Sequence, residues 1–295
     1  GGAGKIATKL VGKLKPMAIR NGMKVTALAP STSGGVSVTC NNSTLTKATY
    51  DHVINTLPFS CLRVVDTSAY DFDWALLTAI HAIRYEASTK VAISFKERWW
   101  ENLSTRFDSL VDQRGGVSKT DLPTRMVVYP SYGINQMTGA TIIVSYTWAQ
   151  DVARLGALID GGPGTTQNET LKNLILRDLT AIHGIPDGDF LPNLVAENGF
   201  DAWAWYNYEH SAGMSLTPCP ESRFEITDIR IAGAFARFGP GQFQSLYPQV
   251  TKPVNGTLHF AGEATSTHHA WVLGALESAA RAVLEIIRRG LPSTC

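Results

Sequence analysis

Several things are scarce in this 295-residue chain, and each scarcity argues against a class of function. Its four cysteines, Cys40, Cys61, Cys219 and Cys295, are scattered, with no C-x-x-C and no histidine pair at zinc spacing. That argues against a structural zinc site and leaves free thiols or one unassigned disulfide. Charge of one sign is missing too: 26 Lys and Arg against 25 Asp and Glu leave a net +1. Nucleic acid and anionic membrane surfaces call for a basic surplus, so neither is an expected partner. No apolar run approaches the roughly 20 residues that cross a bilayer. No signal peptide is visible, and the chain opens Gly1-Gly2-Ala3-Gly4 rather than on Met, as a fragment or a processed chain would.

Apolar residues are plentiful at 44%, which excludes disorder across the chain, and the length suits about two domains or one large α/β body. Sequons occur at Asn41, Asn42, Asn102, Asn168 and Asn255. Chance would supply about two, so the excess leans towards a secreted glycoprotein.

Periodicity predicts a helix end over Lys5 to Leu14 and a meander of short strands at Met23 to Leu28, Gly35 to Thr39 and Asp51 to Asn55, closed by Pro58. A helix is expected from Asp73, as N-cap, to Tyr85, then a half-buried strand from Thr89 to Phe95. Leu103 to Pro123 reads as a loop, Met126 to Tyr129 and Thr141 to Tyr146 as strands, and Trp148 to Leu158 and Asn168 to His183 as helices. Leu258-His259-Phe260-Ala261-Gly262-Glu263 reads as a short buried strand ending in Gly and an acid. A helix over Ala270 to Arg289 follows, stopped by Gly290, with Arg288 and Arg289 at its dipole-favoured end.

Three blocks carry a resemblance. Phe260-Ala261-Gly262-Glu263-Ala264-Thr265, with His269-Ala270-Trp271-Val272-Leu273-Gly274-Ala275 and Glu277-Ser278-Ala279-Ala280-Arg281-Ala282, resembles the C-terminal flavin motif of the flavin amine oxidases. Within that family it is most similar to the L-amino acid oxidases, in the lysine, arginine and glutamate α-oxidase branch. Thr89-Lys90-Val91-Ala92-Ile93-Ser94-Phe95, followed by Trp99-Trp100, resembles the family's lysine strand. Gly115-Gly116, Thr120-Asp121-Leu122-Pro123-Thr124-Arg125 and Tyr129-Pro130 resemble the loop and strand that follow it. The implied fold is mixed α/β: a partial, discontinuous FAD-binding domain (1–86 and 240–295) around an inserted mixed-sheet substrate domain (87–239).

The implied cofactor is FAD. Glu263 would lie near the ribityl chain, the amides of Ala270, Trp271, Val272, Leu273, Gly274 and Ala275 would face the flavin pyrimidine, and Val25 would hold the adenine through its backbone. Read without the resemblance, these are a loop acid, an amphipathic helix and an ordinary strand residue. Lys90 would hold a water beside flavin N5 for reoxidation and imine hydrolysis; its plain alternative is a lysine stretched to the surface. Tyr146 would donate to the substrate carboxylate, Ala270 and Trp271 would form the amino-group side, Trp205 a second aromatic wall, and Phe235 the side-chain end. His268 and His269 read as helix-capping residues rather than metal ligands.

The implied reaction converts an L-amino acid, O2 and water to a 2-oxo acid, ammonia and hydrogen peroxide. The family's Gly-rich pyrophosphate loop and carboxylate-clamping arginine fall upstream of the matched region, and no G-x-G-x-x-G opens a helix here. The expected partner is therefore the N-terminal half of such an enzyme, with a homodimer left open for the complete protein. The rival readings are a monoamine or polyamine oxidase and a non-catalytic fragment or subunit. Met214 to Gly233 interrupts the family pattern, without clear period, as a retained intron read in frame would.

Overall fold

The computed structural model describes residues 4–15, 18–41, 46–159, 168–207, 211 and 233–290. The expected interruption at 214–233 lies outside them except for Gly233. Helix α1 (Gly4–Val11) is followed by an antiparallel meander of β1 (Lys24–Pro30), β2 (Val36–Asn41) and β3 (Lys47–Tyr50). Strand β4 (Val53–Asn55) leads through α2 (Phe59–Leu62) to α3 (Trp74–Ala82) and β5 (Arg84–Glu86). Asp73 caps α3 as expected, its Oδ1 accepting from the Leu76 amide at 2.7 Å.

The stretch to Glu86 is not one helix, however. Ile83 turns extended, and β5 pairs antiparallel with a strand about 150 residues later, which no local periodicity could announce.

Strand β6 (Ser88–Phe95) is the hub of a five-stranded antiparallel sheet ordered β10-β6-β9-β8-β7. Its partners are β7 (Val117–Lys119), β8 (Met126–Val128), β9 (Ala140–Trp148) and β10 (Val195–Ala204). The stretch expected as loop, Leu103 to Pro123, also contains α4 (Leu103–Arg106) as well as β7. Helix α5 (Gln150–Gly156) starts two residues later than expected, because Trp148 ends β9 and Ala149 takes a φ of 56°. Helix α6 (Glu169–His183) is capped by Asn168, whose Oδ1 accepts from the Leu171 amide at 3.0 Å, and Gly184 ends it in the left-handed region. The short α7 (Phe190–Leu194) feeds β10.

Strand β10 went unread because Asn198-Gly199 looks like a turn. It is a bulge: Val195 pairs with Phe95 but Phe200 with Ile93. A Cβ at Gly199 would crowd the Ser94 carbonyl oxygen.

The chain then returns in β11 (Phe235–Arg237), which pairs with β5, and α8 (Gln242–Val250) packs on α3. Strand β12 (Leu258–Phe260) pairs parallel with β4, and α9 (Val272–Gly290) closes the described chain.

Two hydrophobic cores result. One draws its buried side chains from 91–204, with Trp99, Trp100, Phe95, Ile142 and Leu171 at its centre. The other joins Leu28 to Tyr85 with Ala236, Leu246, Leu258 and Phe260. Ala236 belongs to this second core, and Phe238 packs against it, although both fall within 87–239. Where the chain leaves the second core and comes back, the two ends meet: the Ala234 amide donates to the Glu86 carbonyl at 2.7 Å.

Candidate active site

The open face of the five-stranded sheet gathers the chemistry. Strand β6 alternates buried Val91, Ile93 and Phe95 with half-buried Lys90, Ala92 and Ser94. Pairing then decides who stands beside the lysine: Lys90 lies opposite Tyr146 of β9 on one side and Trp203 of β10 on the other. Its Nζ sits 4.5 Å from the centroid of the Tyr146 ring. That is a cation–π contact in a half-buried setting. Among the described residues Lys90 has neither a hydrogen bond nor an ion pair, so its three N–H donors stay available.

Aromatic rings extend this face on both sides. Tyr146 packs on Trp148 with centroids 4.3 Å apart, and Trp203 on Trp205 at 4.7 Å. The first pair follows the rule that i and i+2 share a strand face, while Trp205 follows the end of β10 and opens a 3-10 turn. Trp148 and Trp203 were missed from sequence, though the Tyr-x-Trp and Trp-x-Trp spacings at 146–148 and 203–205 are there to be read.

Tyr146 is held in place from behind. The neighbouring Ser145 is fully buried and its Oγ donates to the Thr124 carbonyl at 2.8 Å. Thr124 Oγ1 donates in turn to the buried Asp178 carboxylate at 2.8 Å. The Thr120 to Arg125 block is thereby locked against β9 and α6.

The second group of expected residues surrounds Glu263. Its half-buried carboxylate accepts from the Ala236 amide at 2.6 Å and the Ala270 amide at 3.0 Å. Glu263 therefore ties β11 to the turn before α9, and each oxygen keeps a lone pair for one further donor. The helix expected to begin at Ala270 begins at Val272, because Ala270 has a φ of 64°. Ala270 and Trp271 belong to the preceding turn. His268 and His269 do not cap the helix: His268 Nδ1 lies 2.7 Å from Glu277 Oε2, and His269 Nδ1 lies 3.2 Å from the Glu263 carbonyl.

Trp271 is 70% exposed, and no ring contact or hydrogen bond joins it to Lys90 or Tyr146 among the described residues. Phe235 sits on β11 opposite Glu86. Val25, on β1, lines a cavity of about 440 Å³ with Met23, Val38, Cys40 and Tyr50. A larger cavity of about 940 Å³ opens at β5 and β11 between His81, Arg84, Glu86, Arg237 and Gln242, and holds none of the expected site residues. The structure thus brings Lys90, Tyr146 and Trp205 to one face and places Glu263, Ala270 and Phe235 around another strand pair.

With this geometry in view, the comparisons are direct. The profile of the family described as "Flavin containing amine oxidoreductase" matches residues 1–287. The chain belongs to that family. A Dictyostelium discoideum protein named as a bifunctional amine oxidase is 38% identical over 295 residues, 98% of this chain and 25% of that one. The L-amino-acid oxidase 4 of Hebeloma cylindrosporum is 42% identical over 239 residues, 80% of this chain and 34% of that protein. A solved putrescine oxidase superposes with a TM-score of 0.70 at 15% identity, covering 98% of this chain and 53% of its own. The flavin amine oxidase chain described here therefore spans about half of the solved structure and a quarter to a third of these curated relatives.

The family's cofactor is FAD, and the residues present fit part of it. The first amides of α9 have no intrahelical acceptor, so the helix presents N–H donors and a positive dipole end to whatever lies before it. Val272 and Leu273 are exposed at that end, as an aromatic ring system would require. A Cβ at Gly274 would collide with the His268 carbonyl and Ser266 Oγ, so only glycine lets the turn and the helix approach this closely.

Proposed function

We propose that this chain forms part of an FAD-dependent L-amino-acid oxidase. The observation that carries the reading is the Lys90 ammonium, half-buried over Tyr146 and without an anionic partner among the described residues, on an open aromatic face. Tyr146 supplies a hydroxyl donor suited to a substrate carboxylate, a group that a simple amine lacks. Lys90 supplies N–H donors that orient a water, and its charge stabilises negative charge developing nearby. Trp148, Trp203 and Trp205 supply aromatic surface beside it. Bound FAD would accept two electrons from the substrate and pass them to O2. Overall, the amino acid, O2 and water give the 2-oxo acid, ammonia and hydrogen peroxide.

The chain spans 53% of the solved putrescine oxidase, and we assign the phosphate and carboxylate clamps to the part of the fold it does not span. Exposed sequons at Asn102 and Asn255 favour a secreted, glycosylated form.

The deciding experiment supplies that further polypeptide in trans with FAD and assays peroxide against L-amino acids and against primary amines such as putrescine. Peroxide with L-amino acids supports the reading. Peroxide with amines alone replaces it with an amine oxidase.

A further inference from the structure

Two histidines meet beneath helix α9 in a network that the proposed oxidation does not use. His259, on β12, is fully buried, and its Nδ1 lies 2.9 Å from Glu285 Oε2. Its Nε2 lies 3.3 Å from Nδ1 of the half-buried His52, which leads into β4. Glu285 Oε1 accepts from Arg281 at 2.6 Å, and Arg281 also donates to the Phe260 carbonyl at 2.6 Å and the Thr251 carbonyl at 3.1 Å. One run of polar bonds therefore joins β4, β12 and α9. The strands it joins lead to the turn at Glu263: the Asn55 carbonyl of β4 accepts from the Ala261 amide at 2.9 Å, two residues before that acid.

Proton counting sets how this network behaves. An ionised carboxylate only accepts, so His259 carries its hydrogen on Nδ1 and, when neutral, offers Nε2 as an acceptor. His52 then donates from its Nδ1. A first proton goes to Nε2 of His52, away from the contact, and leaves both bonds intact. A second must go to Nε2 of His259, where it sets one N–H against another and breaks the contact. Glu285 favours that buried positive charge, whereas Arg281 and the charged His52 oppose it. Lys252, at the end of α8, is turned to Gln249, and Asp51, beside His52 in sequence, is exposed.

We propose that His52 and His259 form an acid-opened latch that holds β4 and β12 together and keeps the turn at Glu263 in place. Opening takes up one proton, so its equilibrium constant rises about tenfold for each pH unit of acidification until both rings are cationic. The latch goes beyond the oxidase reading and requires neither cofactor nor substrate.

The test uses the full chain, labelled with 15N in histidine and followed from about pH 8 to about pH 4, across the imidazole range. Ring nitrogen shifts should show His259 as the Nδ1–H tautomer at the upper end. The Ala261 amide should exchange faster than its intrinsic pH dependence dictates once both rings are cationic. Two variants should move that opening in opposite directions. His52→Gln keeps a side-chain N–H donor without the neighbouring charge, and opening should shift to acid by about one pH unit or more. Glu285→Gln keeps an acceptor without its charge, and opening should shift towards neutral by a similar amount. A role in packing alone predicts no opposed shifts. Circular dichroism at about pH 7 checks that each variant is folded, and the tautomer is read on the parent chain without any variant. His183 packs on Trp99 in the other core, so amides there report its protonation separately. Three results overturn the latch: the Nε2–H tautomer at His259, Ala261 exchange that follows the intrinsic rate throughout, or opening points that stay fixed or move together. Peroxide enters none of these readouts, so failure of the oxidase reading and failure of the latch are told apart.

Discussion

At His183 one proton is coupled to the stability of the larger core. The ring lies 2.7 Å from Tyr129 Oη and packs edge-on against the buried Trp99, and burial pushes its pKa down to about 4. An unfolded chain takes up that proton near pH 6.5. Between the two values the unfolded state binds more protons, so stability is full above about pH 6.5 and falls with acidification until both states are protonated below about pH 4. The loss over that window is roughly 3 kcal/mol. Urea unfolding at pH 7 and pH 4.5 should show it, and His183→Gln, which cannot titrate, should flatten the difference. An undiminished pH dependence in the variant would move the cause elsewhere. Lys90 carries a prediction about rate instead. In the reconstituted enzyme Lys90→Met should slow the oxygen-dependent half-reaction more than substrate reduction, because the charge it removes acts on developing negative charge. Stopped-flow traces of each half-reaction check this; equal slowing would contradict the role.

Among the elements, α3 offers the cleanest test of local coding. Asp73→Ala leaves the Leu76 amide without its acceptor and should cost about 1 kcal/mol, read as a lower urea midpoint at an unchanged slope. The Asp73 cap was legible because its signal is local: a short polar side chain three residues before the amide it serves. So was the alternation of β6. The failures share a cause as well. Strands β5, β10 and β11 exist through partners far away in sequence, and β10 is disguised by the Asn198-Gly199 bulge that mimics a turn. The start of α9 was misplaced by two residues because alanine rarely takes a positive φ, and Ala270 does so while its amide is held by Glu263. Lys90 and Tyr146 could be named singly from their motif. That they touch, and that Trp203 completes the other side of the lysine, is a property of strand register.

The whole molecule is organised by where its chain leaves and re-enters the core built around Phe59, Ile83 and Phe260. At the exit at Glu86 and the return at Ala234, the Ala234 amide donates to the Glu86 carbonyl, Arg237 pairs with the Glu86 carboxylate, and Phe235 stands directly opposite Glu86 in the β5–β11 pair. We propose that the stretch between behaves, in genetic terms, as a cassette loaded through this gate. Replacing residues 87–234 by the dipeptide Asn-Gly would turn the gate into a two-residue hairpin of the favoured twist. The shortened protein is expected to keep a cooperative thermal transition, whereas loss of cooperativity would mean that the two cores fold as one. Recombination, natural or engineered, could then exchange the aromatic sheet of one family member for that of another by cutting at two adjacent backbone positions, leaving helix α9 and Glu263 untouched.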